Sequence, residues 1–219
     1  MTDVYIVRHC EAQGNHKRLF QGSTDCDITE LGSRQLEYLS KRFKDTNIDI
    51  IYTSPLIRAK KTAEAIRAGR DIKILPLEDL TEVNGGILEG KPFLEMFKNM
   101  PELGIVWNDS PQDFAPEGGE PMRDAYDRIW TAVLKIAKDN KDKTVAVATH
   151  GGVTRCLNSR LLYGTIDELK NVPWCENTAV SLVRFDDDFN AELLYMNDHT
   201  HVPDELLPKR SRMAEVSRG

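Results

Sequence analysis

Several things are scarce in this sequence, and each scarcity excludes a class of protein. No apolar run approaches the length that spans a bilayer, and the opening MTDVYIV has no basic segment followed by a long apolar stretch. A cytosolic location without a membrane partner is the expectation. Lysine and arginine are outnumbered, giving a net charge of −6, and they are scattered rather than striped, so the footprint of a nucleic-acid binder is missing. A small anionic substrate would need a locally cationic pocket. The four cysteines, Cys10, Cys26, Cys156 and Cys175, lack the short paired spacings of a zinc site and the density of a secreted disulfide scaffold. His9, Cys10, His16 and Cys26 could be imagined around a metal, but their spacing fits no common ligand pattern, so neither metal nor cofactor is implied. Internal repeats are absent, and oligomeric state is left open.

What is present is ordinary globular material: 219 residues, 40% apolar and 29% charged, enough for one well-buried core. Short apolar runs at 4–7, 48–52, 72–75 and 145–148 alternate with helix-like stretches, the rhythm of an α/β fold. The expected architecture is a three-layer sandwich with a mostly parallel central sheet and helices on both faces. Leu31, Leu36, Leu39 and Phe43 recur at helical spacing, with Thr29 as cap and Glu30 in the first turn. A second helix is expected to begin at Ser54 as cap with Pro55 first, and a third to run from about Pro121 through Ile129, Val133 and Ile136. Two late strands, 179–185 and 193–196, suit a hairpin or sheet edge. Residues 91–120, carrying Pro92, Pro101, Pro111 and Pro116, break the alternation and read as an inserted lid within a domain of residues 1–202. In that lid Phe93, Phe97, Trp107 and Phe114 could wall a pocket, although packing beneath the segment is the commoner use of such rings. The tail, 203–219, contains Lys209, Arg210 and Arg212 but few apolar residues, which suits a mobile or lightly docked end.

Chemistry concentrates where strands stop. In VYIVRHCEAQGN an apolar strand ends in Arg8 and His9 and enters a polar loop with Gly14 and Asn15. Strand ends are where α/β folds bind ligands, though an arginine and a histidine there can equally be solvated. ATHGGVTR repeats the pattern, a strand ending in His150 before Gly151, Gly152 and a helix start whose free amides attract anions. In IDIIYTSPLIRAKK, Arg58 lies in the first turn of a helix beyond a strand end, where guanidinium and helix start suit the same phosphate. A plain surface charge is the other reading of that arginine. Glu82 in LTEVNGGILEGK precedes a glycine-bearing loop and alone is unremarkable.

Taken in order, these segments resemble the histidine phosphatase superfamily, also called the phosphoglycerate mutase-like family, over about residues 3–200. Arg8, His9 and Asn15 fill the places of its opening Arg-His-Gly motif and following Asn, Arg58 those of its second arginine, Glu82 its proton donor, and His150 with Gly151 its second histidine motif. Gln21 and Gly22 resemble its phosphate-proximal loop, and Asn177 its late asparagine. The resemblance implies a phosphomonoester hydrolase that passes through a phosphohistidine at His9 on a small phosphorylated metabolite. It implies His9, Glu82 and His150 as catalytic, and Arg8, Asn15, Gln21, Gly22, Arg58 and Gly151 as phosphate-binding. A bisphosphate-dependent phosphoglycerate mutase is the alternative, though those chains tend to be longer in their middle region. A non-catalytic phospholigand-binding module is the third, though none of the expected catalytic residues is missing. One departure is plain: the glycine after the first histidine is Cys10 here. It raises a rival, a cysteine-dependent phosphatase loop, but the arginine expected six residues on is His16, and Arg18 comes two residues too late.

Overall fold

The structure, a computed structural model, describes residues 1–207. The chain opens with β1 (Thr2–Arg8) and a short helix, α1 (Gln13–Lys17), before the amphipathic helix α2 (Glu30–Phe43). Thr29 caps α2, its hydroxyl accepting the Gly32 N–H at 2.9 Å, and Glu30 sits at the positive end of the helix dipole. There follow β2 (Ile50–Thr53), α3 (Ile57–Arg67), β3 (Ile74–Pro76), α4 (Phe93–Asn99), α5 (Pro101–Asp109) and α6 (Met122–Asp139). The last third comprises β4 (Thr144–Thr149), α7 (Gly151–Tyr163) and the hairpin of β5 (Val180–Phe185) with β6 (Ala191–Asp198). No helix among the described residues is long and apolar enough to cross a membrane.

The strands make one sheet in the order β3-β2-β4-β1-β5-β6. β3, β2, β4 and β1 run parallel, while β5 is antiparallel to both β1 and the edge strand β6. Alternation along the strands sorts side chains to two faces. Val4, Ile6, Val145 and Val147 pack with Ile129, Val133 and Ile136 of α6 and with Val153 and Leu157 of α7. Val7, Ala146, Ala148 and Ile51 face the other way, against Leu39 and Phe43 of α2 and Ala63 and Ile66 of α3. The result is the three-layer α/β sandwich with a mostly parallel sheet. After β1 the chain crosses to the α2/α3 face, and after β4 to the α7 face. The adjoining carboxyl ends of β1 and β4 therefore open into a crevice between diverging connections.

Two local differences from the sequence reading have physical causes. First, α3 begins at Ile57, with Leu56 in the cap position, rather than with Ser54 as cap and Pro55 first. The Ser54 hydroxyl is engaged by His150 Nε2 at 2.7 Å, and the α3 start is capped from afar, Asp25 Oδ1 accepting the Ile57 N–H at 2.8 Å. Second, residues 91–120 hold two helices, α4 and α5. Their prolines punctuate rather than break: Pro92 precedes the first residue of α4 and Pro101 is the first residue of α5, places where a missing N–H costs nothing. The start of the tail is docked, one of the two readings the sequence allowed, since Leu206 is fully buried and its carbonyl accepts from Gln35 Nε2 at 2.9 Å. Lys209, Arg210 and Arg212 lie outside the described residues.

Candidate active site

β1 and β4 end side by side, Arg8 opposite Thr149, and the His9 N–H donates to the Thr149 carbonyl at 2.8 Å. The residues that continue the paired strands are His9 and His150, both buried, with ring centroids 5.2 Å apart. His9 Nδ1 lies 2.6 Å from the Cys10 carbonyl. A carbonyl can only accept, so Nδ1 carries the proton and Nε2 keeps its lone pair. The His9 carbonyl is held in turn by Asn177 Nδ2 at 2.9 Å. Beside it Thr178 donates its N–H to the Arg8 carbonyl at 3.1 Å while sitting at φ +60°. A left-handed β-branched residue stores roughly 1–3 kcal/mol of strain, the kind that surrounding structure must hold in place. Burial pushes the pKa of His9 well below the usual histidine value, and the Arg58 and Arg8 guanidiniums push it further. Burial, then Arg58, does the same to His150.

Arg8 donates to the Cys175 carbonyl and reaches the crevice with its Nε unpartnered by protein. Arg58, fully buried, donates to the carbonyls of Thr24 at 2.8 Å and Gly22 at 2.9 Å, and its Nε is also without a protein partner. The loop carrying those carbonyls is gathered by Glu89, which accepts the N–H groups of Gly22 at 3.2 Å, Ser23 and Thr24 at 3.0 Å, and Gly85 at 2.7 Å. Gly22 permits this closeness, because a Cβ there would stand 2.1 Å from the Val83 carbonyl oxygen.

Glu82 reaches the start of α7. Its Oε2 accepts the Gly152 N–H at 2.8 Å and its Oε1 the Val83 N–H at 2.9 Å. Burial raises its pKa; the two N–H bonds and then Arg58 and Arg8 work the other way, and burial prevails. Beside these groups lies a cavity of about 120 Å³. Its polar lining is Arg8, His9, Asn15, Gln21, Glu82, Gly151 and Gly152, and its remaining wall is apolar.

Of the residues singled out in the sequence, Arg8, His9, Asn15, Gln21, Glu82 and Gly151 meet on this cavity. Arg58 and His150 stand behind it, within the electrostatic reach of His9. Gly22 is placed differently from the expectation, its N–H spent on Glu89 and its carbonyl on Arg58. The Asn15 side chain accepts the Ala12 N–H at 3.0 Å, bracing the turn after His9. Cys10 is fully buried, its thiol is pushed up to about 12 by burial, and it does not line the cavity. A nucleophilic thiolate there is excluded, and with it the cysteine-phosphatase rival. Its φ lies outside the left-handed region, so the site tolerates a side chain where glycine was expected.

Sequence reasoning missed the roles of Ser54, Glu89, Phe20 and Trp174. Ser54 was visible but assigned to a helix cap, and Glu89 sits in the same glycine-bearing loop as Glu82. Trp174 gave no signal. In the lid, Phe114 is buried beneath the segment as expected, whereas Phe93 and Trp107 line the cavity, against the commoner use of such rings.

Fold and strand-end chemistry together define an α/β enzyme of the phosphate-ester hydrolase class. The chain belongs to the histidine phosphatase superfamily (branch 1), whose family model matches residues 4–199. It is 31% identical over 205 residues to phosphoglycerate mutase-like protein 4 of Arabidopsis thaliana, covering 92% of this chain and 87% of that one. Phosphoserine phosphatase 1 of Hydrogenobacter thermophilus is 26% identical over 202 residues, covering 92% and 95%. Among solved structures, Bacillus stearothermophilus YhfR superposes with a TM-score of 0.88 at 32% identity, covering 93% of this chain and 100% of that one. The chain is accordingly a histidine-phosphatase-type hydrolase acting on a small phosphorylated metabolite.

Proposed function

We propose that the protein hydrolyses a phosphomonoester through a phosphohistidine formed on His9. The observation that carries this reading is the 2.6 Å contact between His9 Nδ1 and the Cys10 carbonyl, which leaves the Nε2 lone pair free beside the cavity. His9 Nε2 attacks phosphorus in line as the ester P–O bond breaks, and Glu82, whose pKa burial raises, gives its proton to the departing alkoxide. The Glu82 carboxylate then takes a proton from water, whose oxygen attacks phosphorus as the P–N bond breaks, releasing phosphate and returning the lone pair to His9 Nε2. Arg8 and Arg58 do two tasks, keeping His9 neutral and balancing charge on the equatorial phosphoryl oxygens. His150 and the N–H of Gly151 at the α7 start complete the phosphoryl cradle, and the unpartnered His150 Nδ1 supplies a further polar contact. α4 and α5 act as the lid of a domain of residues 1–202, and a cytosolic location fits the reading.

A mutase must also hold a second phosphate group, and the mutase-like relative keeps that reading in view. Among the described residues the cavity lining offers one guanidinium, Arg8, and no lysine, which favours a hydrolase. The test is chemical: incubate with a labelled phosphomonoester, quench, and look for an acid-labile, alkali-stable phosphoenzyme. His9→Ala should abolish it and lower turnover by on the order of 10³-fold or more, while Cys10→Ser keeps both. The reverse pattern sinks the histidine mechanism.

A further inference from the structure

The cavity lining divides in two. Arg8, His9, Asn15, Gln21, Glu82 and the α7 start supply its polar part; the apolar part is built chiefly from Phe20, Phe93, Trp107 and Trp174, and Trp174 meets the polar part beside Gly151 and Arg8. These four rings form one connected cluster. Centroids lie 5.3 Å apart for Phe20 and Phe93, 5.6 Å for Phe93 and Trp107, and 5.9 Å for Trp107 and Trp174. Trp174 is 47% exposed, which an idle indole at a surface would not explain once its bracing is considered. It stacks on Trp107 at 22°, and the Arg155 guanidinium lies 4.8 Å from its ring centre. Arg155 is itself fixed, donating to the carbonyls of Val172 at 3.0 Å and Leu169 at 2.8 Å. The wall is therefore ordered before any ligand arrives, so little side-chain entropy is lost on contact with one.

Charge decides what can lie against this wall. Among the described residues Arg8 is the one cation lining the cavity, and it lines it together with His9. No second cation among them does so: Arg155, beside Trp174, is outside the lining and engaged with the Val172 and Leu169 carbonyls, so a carboxylate or second phosphate against the indoles would lack a charged partner, which is costly.

Resting on the phosphatase reading, we propose that this site selects phosphate monoesters of apolar, ring-bearing alcohols that carry no second anionic group. The reacting phosphate lies at Arg8 and His9 while the ring of the alcohol packs between Phe93, Trp107 and Trp174.

The experiment compares kcat/KM for three esters of primary alcohols, 2-phenylethyl phosphate, glycerol 3-phosphate and 3-phosphoglycerate, so that leaving-group reactivity is nearly matched. The phenylethyl ester should be favoured about tenfold or more over each of the others, the scale of one apolar group well packed in a pocket. Trp174→Ala, at a half-exposed position whose loss the fold tolerates, should reduce that preference about fivefold. Equal or better turnover of 3-phosphoglycerate, or a preference unmoved by Trp174→Ala, overturns the proposal and leaves the phosphatase reading intact. Hydrolysis of none of the three, with no phosphoenzyme formed, overturns both.

Discussion

Gly152 separates function from stability at the scale of one residue. It lies in the first turn of α7, where alanine is favoured over glycine by about 1 kcal/mol, so an added methyl group should not weaken the helix. A Cβ there, however, would stand 2.5 Å from Glu82 Oε1, and the side chain that must give way is the carboxyl itself. Gly152→Ala should therefore leave the melting temperature unchanged or higher while displacing the proton donor by about an ångström, a shift worth on the order of 10²-fold in rate. The loss should be larger for an alkyl phosphate than for p-nitrophenyl phosphate, whose leaving group needs no proton. Equal losses on the two esters would remove Glu82 from the acid role. The same geometry explains why Glu82 was unremarkable in the sequence: its significance comes from the α7 amide it meets, 70 positions away in the chain.

Elements were legible wherever a periodic pattern met a local signal. β1, β4 and α2 are where apolar spacing and the Thr29 cap put them, and the late hairpin is where two short apolar runs suggested an edge. Legibility failed where a segment is organised by distant groups. α3 takes its cap from Asp25, and Arg58 on that helix is aimed by the carbonyls of residues 22 and 24, which Glu89 holds from a third loop. No local pattern encodes such a triangle. Removing Glu89 exposes its importance, because four backbone N–H groups lose a charged acceptor at once. Bonds of that kind contribute about 1.5–3 kcal/mol each in favourable cases, with strong overlap when they share one acceptor. Glu89→Ala should lower the unfolding free energy by about 2–4 kcal/mol, read as a lower urea midpoint. It should also weaken inorganic phosphate as a competitive inhibitor, since Arg58 loses its anchors. A midpoint within error of the parent would mean the loop is held by something else.

At the scale of the whole molecule, packing helices on both faces of the sheet buries His9 and His150 at its centre in neutral form, and this ties stability to pH. In the unfolded chain both imidazoles titrate near about 6.5. Their folded values are lower, so below that pH the unfolded state binds more protons and stability falls as pH falls. Each contributes a slope of up to about 1.4 kcal/mol per pH unit, beginning near the unfolded value and ending only at its own depressed one. His201, lowered to about 4 chiefly by burial, adds the same sign across the window from about 6.5 down to about 4. Glu82 opposes them: its folded pKa is raised, so its contribution is full below the unfolded carboxyl value of about 4.3 and is lost as pH rises through the folded one. Two fully buried histidines outweigh one carboxyl between pH 7.5 and 5.5. The melting temperature of the ligand-free protein should therefore drop over that interval, and His150→Gln should make the drop shallower by the share of one group. A melting temperature that is flat or rises on acidification would show that the fold accommodates charged imidazoles at the strand ends. His9 would then be a poor nucleophile at neutral pH, and both the electrostatic argument and the proposed chemistry would lose their common premise.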